Sequence, residues 1–123
     1  MKLRIQLAID FMNANLHRRL SLAELASSLE LSPSYLCYLF KAQTGMSPNQ
    51  YFIRLKIEKA RELLATTLLS VKQIMIEVGY SSKSHFVRHF KEIYGIPPSQ
   101  YRAENQEVVL SKDHLALQNR NIG

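Results

Sequence analysis

The chain has 123 residues and a single cysteine, which cannot form an internal disulfide framework. Such sparse use of cysteine is typical of proteins from the reducing cytoplasm. Long apolar runs are absent too, since no stretch reaches the roughly 18 residues of a membrane-spanning helix. Arg4 and Asp10 interrupt the apolar character of the first residues. We therefore expect a cytoplasmic protein with no membrane segment and no signal peptide at its start.

Motifs for catalysis and metal binding are equally scarce. No glycine-rich phosphate loop and no carboxylate pair at useful spacing occurs. His85 and His89 are four residues apart, but residue 86 is a phenylalanine where the HExxH motif has glutamate. Cys37 has no histidine and acid in its segment, so a packed thiol is the better interpretation. We expect no enzyme, no metal and no cofactor.

The charge of the chain favours an anionic partner. Sixteen Lys and Arg residues face ten Asp and Glu residues, which gives a net charge of +6 and a pI near 9.6. Residues 1–103 hold fourteen of the basic and only seven of the acidic residues. The basic surplus therefore belongs to the body of the chain, as is typical of nucleic-acid-binding domains.

The body of the chain contains an internal repeat, because residues 21–51 resemble residues 70–101. The first part of each copy aligns at an offset of 49 and the second at an offset of 50. The matched pairs include Ser21 and Ser70, Ser34 and Ser84, Phe40 and Phe90, Lys41 and Lys91, Gly45 and Gly95, Pro48 and Pro98, and Tyr51 and Tyr101. Such self-similarity indicates one supersecondary unit used twice.

Each copy has the pattern of a helix-turn-helix. The first helices begin with capping-box pairs, Ser21 with Glu24 and Ser70 with Gln73. Turns follow at residues 29–31 and 78–80, where Gly79 suits a left-handed backbone and Glu30 would be strained.

The second helix of each copy also has clear boundaries. Ser32, followed by proline, begins one of them, and Ser81 or Ser82 begins the other. Gly45 and Gly95 end them. Two such units can place two helices in successive major grooves of one DNA duplex.

The remaining pattern completes an all-α fold of about seven helices, namely two helix-turn-helix units joined by a long linker helix. The first unit is expected at about 3–46, the linker at about 48–65 and the second unit at about 70–103, within a domain of 3–103. An amphipathic helix at 3–16 opens the chain, and Pro97–Tyr101 forms a last short helix.

The linker helix is expected to have a buried stripe, which consists of Ile53, Ile57, Ala60 and Leu64. On its exposed side we expect Arg54 to pair with Glu58. The tail, 104–123, is polar apart from a strand-like Val108–Leu110, and we expect it to be disordered or loosely docked.

The second recognition helix, expected at about 82–92, carries the strongest candidates for base contact. Phe86, Val87 and Phe90 form its inward stripe, which leaves Lys83, Ser84, His85 and Arg88 outside. An arginine can bond two acceptors of one guanine. No acid lies between Gly79 and Lys91, so nothing there repels a phosphate.

The first recognition helix, expected at about 33–42, is chemically different. It offers Ser34, Cys37 and Tyr38 for bases, and its only charge is Lys41. Base reading by this helix is the weaker hypothesis. Phosphate contacts are expected from Lys41, Lys91, Ser32 and Ser82.

Three stretches resemble the DNA-binding domain of the AraC/XylS family of bacterial transcription regulators. They are Leu22–Ala26 with Ser32–Leu36 and Phe40–Lys41; Leu55–Leu64; and Ile74, Val78–Tyr80, His85–Phe86, Arg88, Phe90–Lys91, Gly95, Pro98 and Tyr101–Arg102. The likeness covers about 5–103 and implies seven helices, double-stranded promoter DNA as target and, in many members, contact with RNA polymerase. By position it also implies base contacts at the seven residues above. Tyr38 stands where the family often has arginine and Cys37 where it has a polar residue, which weakens the expectation for the first helix.

Two hypotheses follow from the sequence. The first is a monomeric, sequence-specific DNA-binding regulator of transcription. The alternative is a helical protein-interaction module with only non-specific affinity for DNA. Many relatives carry a sensing or dimerisation domain before this one. The chain is therefore either a stand-alone regulator or a domain of a longer protein.

Overall fold

The computed structural model describes residues 2–106, and seven α-helices account for most of them. In chain order they are α1 (Lys2–Ala14), α2 (Leu22–Ser28), α3 (Pro33–Thr44), α4 (Pro48–Thr66), α5 (Val71–Glu77), α6 (Lys83–Tyr94) and α7 (Pro98–Asn105). No strand occurs within this range. The expected all-α class, with two helix-turn-helix units on either side of a long helix, is confirmed. The strand-like residues 108–110 and most of the tail lie outside the described residues.

The first helices of the two units begin alike but are capped differently. The hydroxyls of Ser21 and Ser70 each accept a hydrogen bond from the backbone N–H three residues on. Gln73 completes a capping box by accepting from the Ser70 N–H at 2.8 Å. Glu24 instead pairs with the Arg18 guanidinium. The capping box expected in the first unit is therefore one-sided, because a cation is a stronger partner for a carboxylate than a neutral N–H.

The second helices follow the expected boundaries. Ser32 and Ser82 are the N-caps, so Ser82 and not Ser81 begins α6. Gly45 and Gly95 end α3 and α6 in the left-handed conformation, at φ 78° and 82°. Helices at equivalent positions of the repeat therefore begin and end at equivalent residues. The second copy has one extra residue, which lies in the turn before Ser82.

The helices at the two ends differ in length from the prediction. α1 ends at Ala14, and Asn15 begins a tighter turn by donating its N–H to the Met12 carbonyl at 3.0 Å. Leu16 therefore lies in the loop and not on the helix. α7 runs four residues past Tyr101 to Asn105, whose side-chain amide donates to the Tyr101 carbonyl at 2.9 Å.

Two hydrophobic cores lie along α4, one for each unit. The first is built by α1, α2, α3 and the start of α4, and consists of Ile5, Ala8, Met12, Leu25, Ala26, Leu36, Leu39, Phe40 and Phe52. The second is built by α4, α5 and α6, and consists of Ile57, Ala60, Leu64, Ile74, Met75, Val78, Phe86 and Phe90. The long helix is thus shared by two small cores.

The buried stripe of α4 was predicted in part. Ile57, Ala60 and Leu64 are fully buried, whereas Ile53 is only partly buried. Phe52 and Lys56 take up the buried positions one turn apart instead. The expected Arg54–Glu58 pair is present on the outer face, with Nε and Oε1 3.2 Å apart.

Candidate nucleic-acid interface

The outer face of α6 presents the side chains that the sequence singled out. Lys83, Ser84, His85 and Arg88 are all exposed. On the opposite face, Phe86 and Phe90 are completely buried in the second core. Ser82 fixes the start of the helix by accepting the His85 N–H at 3.3 Å. The basic side chains therefore project from a helix whose other side is firmly packed.

Arg88 has an acidic neighbour just beyond the acid-free segment. Its Nε lies 4.0 Å from Oε1 of Glu92, one turn further along α6. The arginine side chain is 61% exposed and the glutamate 64%. A pair this long and this exposed is weak, so the guanidinium stays available to another acceptor.

The two histidines of α6 are part of an aromatic cluster. The rings of His85 and His89 stack with centroids 6.4 Å apart. Burial lowers the pKa of His89, and the Arg88 cation adds to this effect. Burial also raises the pKa of Tyr80 to about 12. The Tyr80 hydroxyl therefore stays neutral, and it shares a hydrogen bond of 2.7 Å with Nδ1 of His89, which holds α6 against the preceding turn.

The corresponding face of α3 is less charged. Ser34 is exposed, and Tyr38 is 71% exposed with its ring stacked on Tyr35 at 6.4 Å. Cys37 is only partly buried, but it lines an apolar groove together with Met12, Leu25 and Phe52. The structure thus places Ser34 and Tyr38 on the open face of α3 and Cys37 at its edge.

The side chains expected at phosphates flank these two faces. Lys41 and Lys91 are exposed in the last turns of α3 and α6, at equivalent positions of the repeat. Ser32 is exposed and Ser82 partly buried, and each hydroxyl already accepts a backbone N–H as a cap. Each hydroxyl still has its own proton to donate.

Other kinds of site find little support in the described residues. Among residues 2–106 no three His, Cys, Asp or Glu side chains lie close enough together to hold a metal ion. None of the described helices is long and apolar enough to cross a membrane.

Comparisons with known proteins identify this arrangement. A family model described as a helix-turn-helix domain matches residues 25–104. The chain superposes on a transcriptional regulator from Chromobacterium violaceum, of the AraC-type DNA-binding domain-containing proteins, with a TM-score of 0.80 and 32% identity over 85% of this chain and 93% of that one. It is a DNA-binding domain of the AraC/XylS family.

Relatives of this AraC/XylS domain are longer regulators. The MmsAB operon regulatory protein of Pseudomonas aeruginosa is 40% identical over 75% of this chain and 30% of its own length. The probable transcriptional regulator LumQ of Photobacterium leiognathi is 33% identical over 82% of this chain and 41% of its own. The chain thus spans less than half the length of these curated relatives.

One solved relative holds DNA. The DNA-binding domain of the transcriptional factor AdpA, in complex with a target DNA, superposes with a TM-score of 0.77 and 26% identity over 81% of this chain and 90% of that one. The assignment of this chain to a family that binds DNA and regulates transcription is therefore supported by sequence identity, by the fold and by a relative solved with its target DNA.

A cleft between the two units of the AraC/XylS domain contains residues that sequence reasoning missed. It is lined by Arg19, Asn49, Lys56, Tyr80, Ser82, His85 and His89, among others. At its base Lys56 is only 7% exposed. Burial lowers the pKa of Lys56 to about 8. The one sequence signal was a lysine in the apolar stripe of α4, at the spacing of Phe52 and Ala60.

Proposed function

We propose that this AraC/XylS domain binds promoter DNA sequence-specifically, with α3 and α6 in successive major grooves of one duplex. The observation that carries the proposal is the outer face of α6. Four adjacent side chains able to reach bases or phosphates, Lys83, Ser84, His85 and Arg88, are all exposed on a helix with a buried opposite face. The likeness to the DNA-bound AdpA domain supports it.

The dimensions of α4 support binding in two grooves. Its 19 residues correspond to a length of about 28 Å. One turn of B-DNA is about 34 Å, and helix ends and side chains extend the reach of the two units. A rod of this length can therefore present both recognition helices to one side of a duplex.

The two recognition helices are proposed to play unequal roles. Arg88, with its planar fork of donors, is suited to guanine, and Lys83, Ser84 and His85 to neighbouring acceptors or phosphates. Ser34 and Tyr38 on α3 supply hydroxyls that discriminate less, and Cys37 lies at the edge of that face. Lys41, Lys91, Ser32 and Ser82 are assigned to phosphates, which fix the register.

Selection of binders from a random DNA pool tests this function. At about 150 mM salt, where non-specific binding is weak, we expect enrichment of an asymmetric site of about two helical turns. Arg88→Ala should lose preference at one position of that site. Lys59→Ala is the charge-matched control, since Lys59 lies exposed on α4 beside Glu62 and should leave the selected sequence unchanged.

Absence of enrichment, with binding only at low salt, would contradict specific recognition. That outcome would favour a helical protein-interaction module with non-specific affinity for DNA. The resemblance implies contact with RNA polymerase in many members of the family. For this domain we propose such contact only when it is bound at a promoter.

A further inference from the structure

On α4 the buried side chains of the two hydrophobic cores are separated by about one helical turn, in which the half-buried Leu55 packs against the first core and Ile53 against the second. Phe52 is the last buried α4 side chain of the first core, and Ile57 is the first of the second core. Lys56 is buried between them. A buried ammonium therefore lies at the point of α4 where the two cores meet.

Lys56 joins the backbones of both units at this point. Its ammonium donates to the carbonyls of Leu16 at 3.0 Å and Arg18 at 3.1 Å, which belong to the loop after α1. It donates to the carbonyl of Val78 at 3.2 Å, in the turn of the second unit. An ammonium has three N–H donors, and all three are used. No carboxylate pairs with Lys56 among the described residues.

The loop and the turn approach each other closely around this ammonium. A Cβ atom on Gly79 would lie 2.6 Å from the Leu16 carbonyl oxygen and 2.6 Å from Nζ of Lys56. The Phe52 ring also lies against the ammonium, with its centroid 4.6 Å from Nζ. The contact therefore depends on a glycine at residue 79 and on a slender, three-fold donor at residue 56.

We propose that Lys56 is a positioning residue that fixes the relative placement of the two helix-turn-helix units, and so sets the spacing of DNA half-sites that the domain accepts. Charge-assisted hydrogen bonds are short and directional, whereas apolar packing is non-directional. One base-pair step moves a half-site by about 3.4 Å along the duplex. The hydrogen bonds from Lys56 to the backbones of both units thus control the spacing of the half-sites. This inference rests on the proposed binding in two grooves.

The first experiment measures the placement of the units in the free protein, without DNA. Spin labels are attached at Ser28→Cys and Glu77→Cys, exposed and equivalent ends of α2 and α5, in a Cys37→Ser background. Lys56→Met removes all three donors, and Lys59→Met is the matched control on the same helix. We expect the distance distribution between the labels to broaden in Lys56→Met and to stay narrow in Lys59→Met. Equal widths would overturn the proposal.

The second experiment measures affinity for the selected DNA site and for versions with two base pairs added or removed between the half-sites. Wrong spacing should cost the wild type about 100-fold, because it forfeits the avidity of the second unit. In Lys56→Met this penalty should shrink to about tenfold or less, while affinity for a duplex with one half-site stays within about twofold. An unchanged penalty in Lys56→Met would overturn the inference alone. A wild type with no spacing preference would overturn the proposed function instead.

Circular dichroism establishes that each variant is folded. Lys56→Gln, which keeps two N–H donors on a neutral side chain, is measured in the same way and should fall between wild type and Lys56→Met. Unfolding of both variants would make Lys56 a part of the general scaffold and would overturn a role in spacing.

Discussion

Arg88 and Tyr38 occupy the same place in the two copies of the repeat, 50 residues apart, yet they differ in what they can recognise. Both side chains project from their helices, with Arg88 61% and Tyr38 71% exposed. A guanidinium can bond two acceptors of guanine at once, whereas a phenol has one hydroxyl. The same position is therefore suited to base recognition in α6 and to positioning in α3.

Truncation of Arg88 should change specificity. We expect Arg88→Ala to lower affinity by about 1–3 kcal/mol and to relax the preference at one base pair. Tyr38→Ala should weaken binding to all sequences more evenly. Site selection with each single variant measures both effects. If Tyr38→Ala altered the preferred bases while Arg88→Ala weakened binding uniformly, α3 and not α6 would be the reader.

The buried ammonium of Lys56 should make stability depend on pH in an alkaline window. Burial lowers its pKa in the folded state to about 8, from 10.5 for the free side chain. Between these values the unfolded chain holds more protons, so this group adds stability as pH rises and withdraws it as pH falls through 8. The Tyr80 ring faces the ammonium at 5.8 Å, but its pKa of about 12 keeps it neutral here.

Urea unfolding at pH 7.5 and 9.5 tests this pH dependence. Relative to Lys56→Met, the wild type should gain roughly 2 kcal/mol over that interval, since each pH unit between the two pKa values is worth about 1.4 kcal/mol at most. Comparison with Lys56→Met cancels the other groups lining the cleft, among them Arg19, His85 and His89. If the stability of the wild type relative to Lys56→Met stayed constant or fell as pH rises, the folded protein would keep the lysine protonated throughout.

At the scale of the elements, the two turns adopt one conformation with different residues. Glu30 and Gly79 are equivalent positions, with φ of 57° and 78°. A side chain in the left-handed region costs about 1–2 kcal/mol, while glycine loses more freedom on folding. We therefore expect Glu30→Gly to stabilise the domain by about 1 kcal/mol, as measured by the urea midpoint. Glu62→Gly, at an exposed position inside α4, is the control and should destabilise. A loss of stability in Glu30→Gly would mean that its side chain makes a contact worth more than the strain.

The packing of the second core depends on large side chains from two helices. Ile57 of α4 and Phe90 of α6 are completely buried. Phe90 also meets Tyr101 of α7 edge-on, with ring centroids 5.7 Å apart. Ile57→Ala or Phe90→Ala should lower the free energy of unfolding by about 2–5 kcal/mol. Val87→Ala, at a half-buried position of α6, should cost less. If both variants melted at the wild-type temperature, Ile57 and Phe90 would not lie on the buried faces of α4 and α6.

Most boundaries of the helices between α1 and α7 could be predicted from the sequence because their determinants are local. Serine caps, prolines in first turns and glycines after last turns lie within a few residues of the ends that they define. The repeat supplied a second copy of each signal. Lys56 could not be predicted, since its carbonyl partners are 40, 38 and 22 residues away in the chain. The Arg18–Glu24 pair was not predicted either, although its partners are only six residues apart, because it depends on the conformation of the loop between α1 and α2.

The candidate interface was predictable in its residues but not in their surroundings. Helical periodicity predicts which side chains of α6 point outward, so the exposure of Lys83 and Arg88 could be predicted. The groove beside Cys37 required the placement of α1 and α4 against α3. The hydrogen bond of His89 to Tyr80 required the shape of the turn before α6.

At the scale of the whole molecule, the duplication places two different recognition helices in one chain. A dimer of a single-unit protein reads a palindrome, because its symmetry repeats one helix. Here the second unit differs from the first in charge and in the residues that we propose to face the bases. We therefore expect the domain to read an asymmetric site without a partner copy.

The stoichiometry and the salt dependence of binding together test reading by the two units of one chain. We expect one domain per duplex in sedimentation of the complex with the selected site. The logarithm of the affinity should fall linearly with the logarithm of salt concentration, by about 0.9 per phosphate neutralised. Lys41→Ala and Lys91→Ala should each reduce that slope by about one unit at most, whereas Lys59→Ala, on the outer face of α4, should not. Binding that ignores salt would remove phosphate contacts as the main driving force, and a complex seen only with two copies on a palindrome would contradict reading by the two units of one chain.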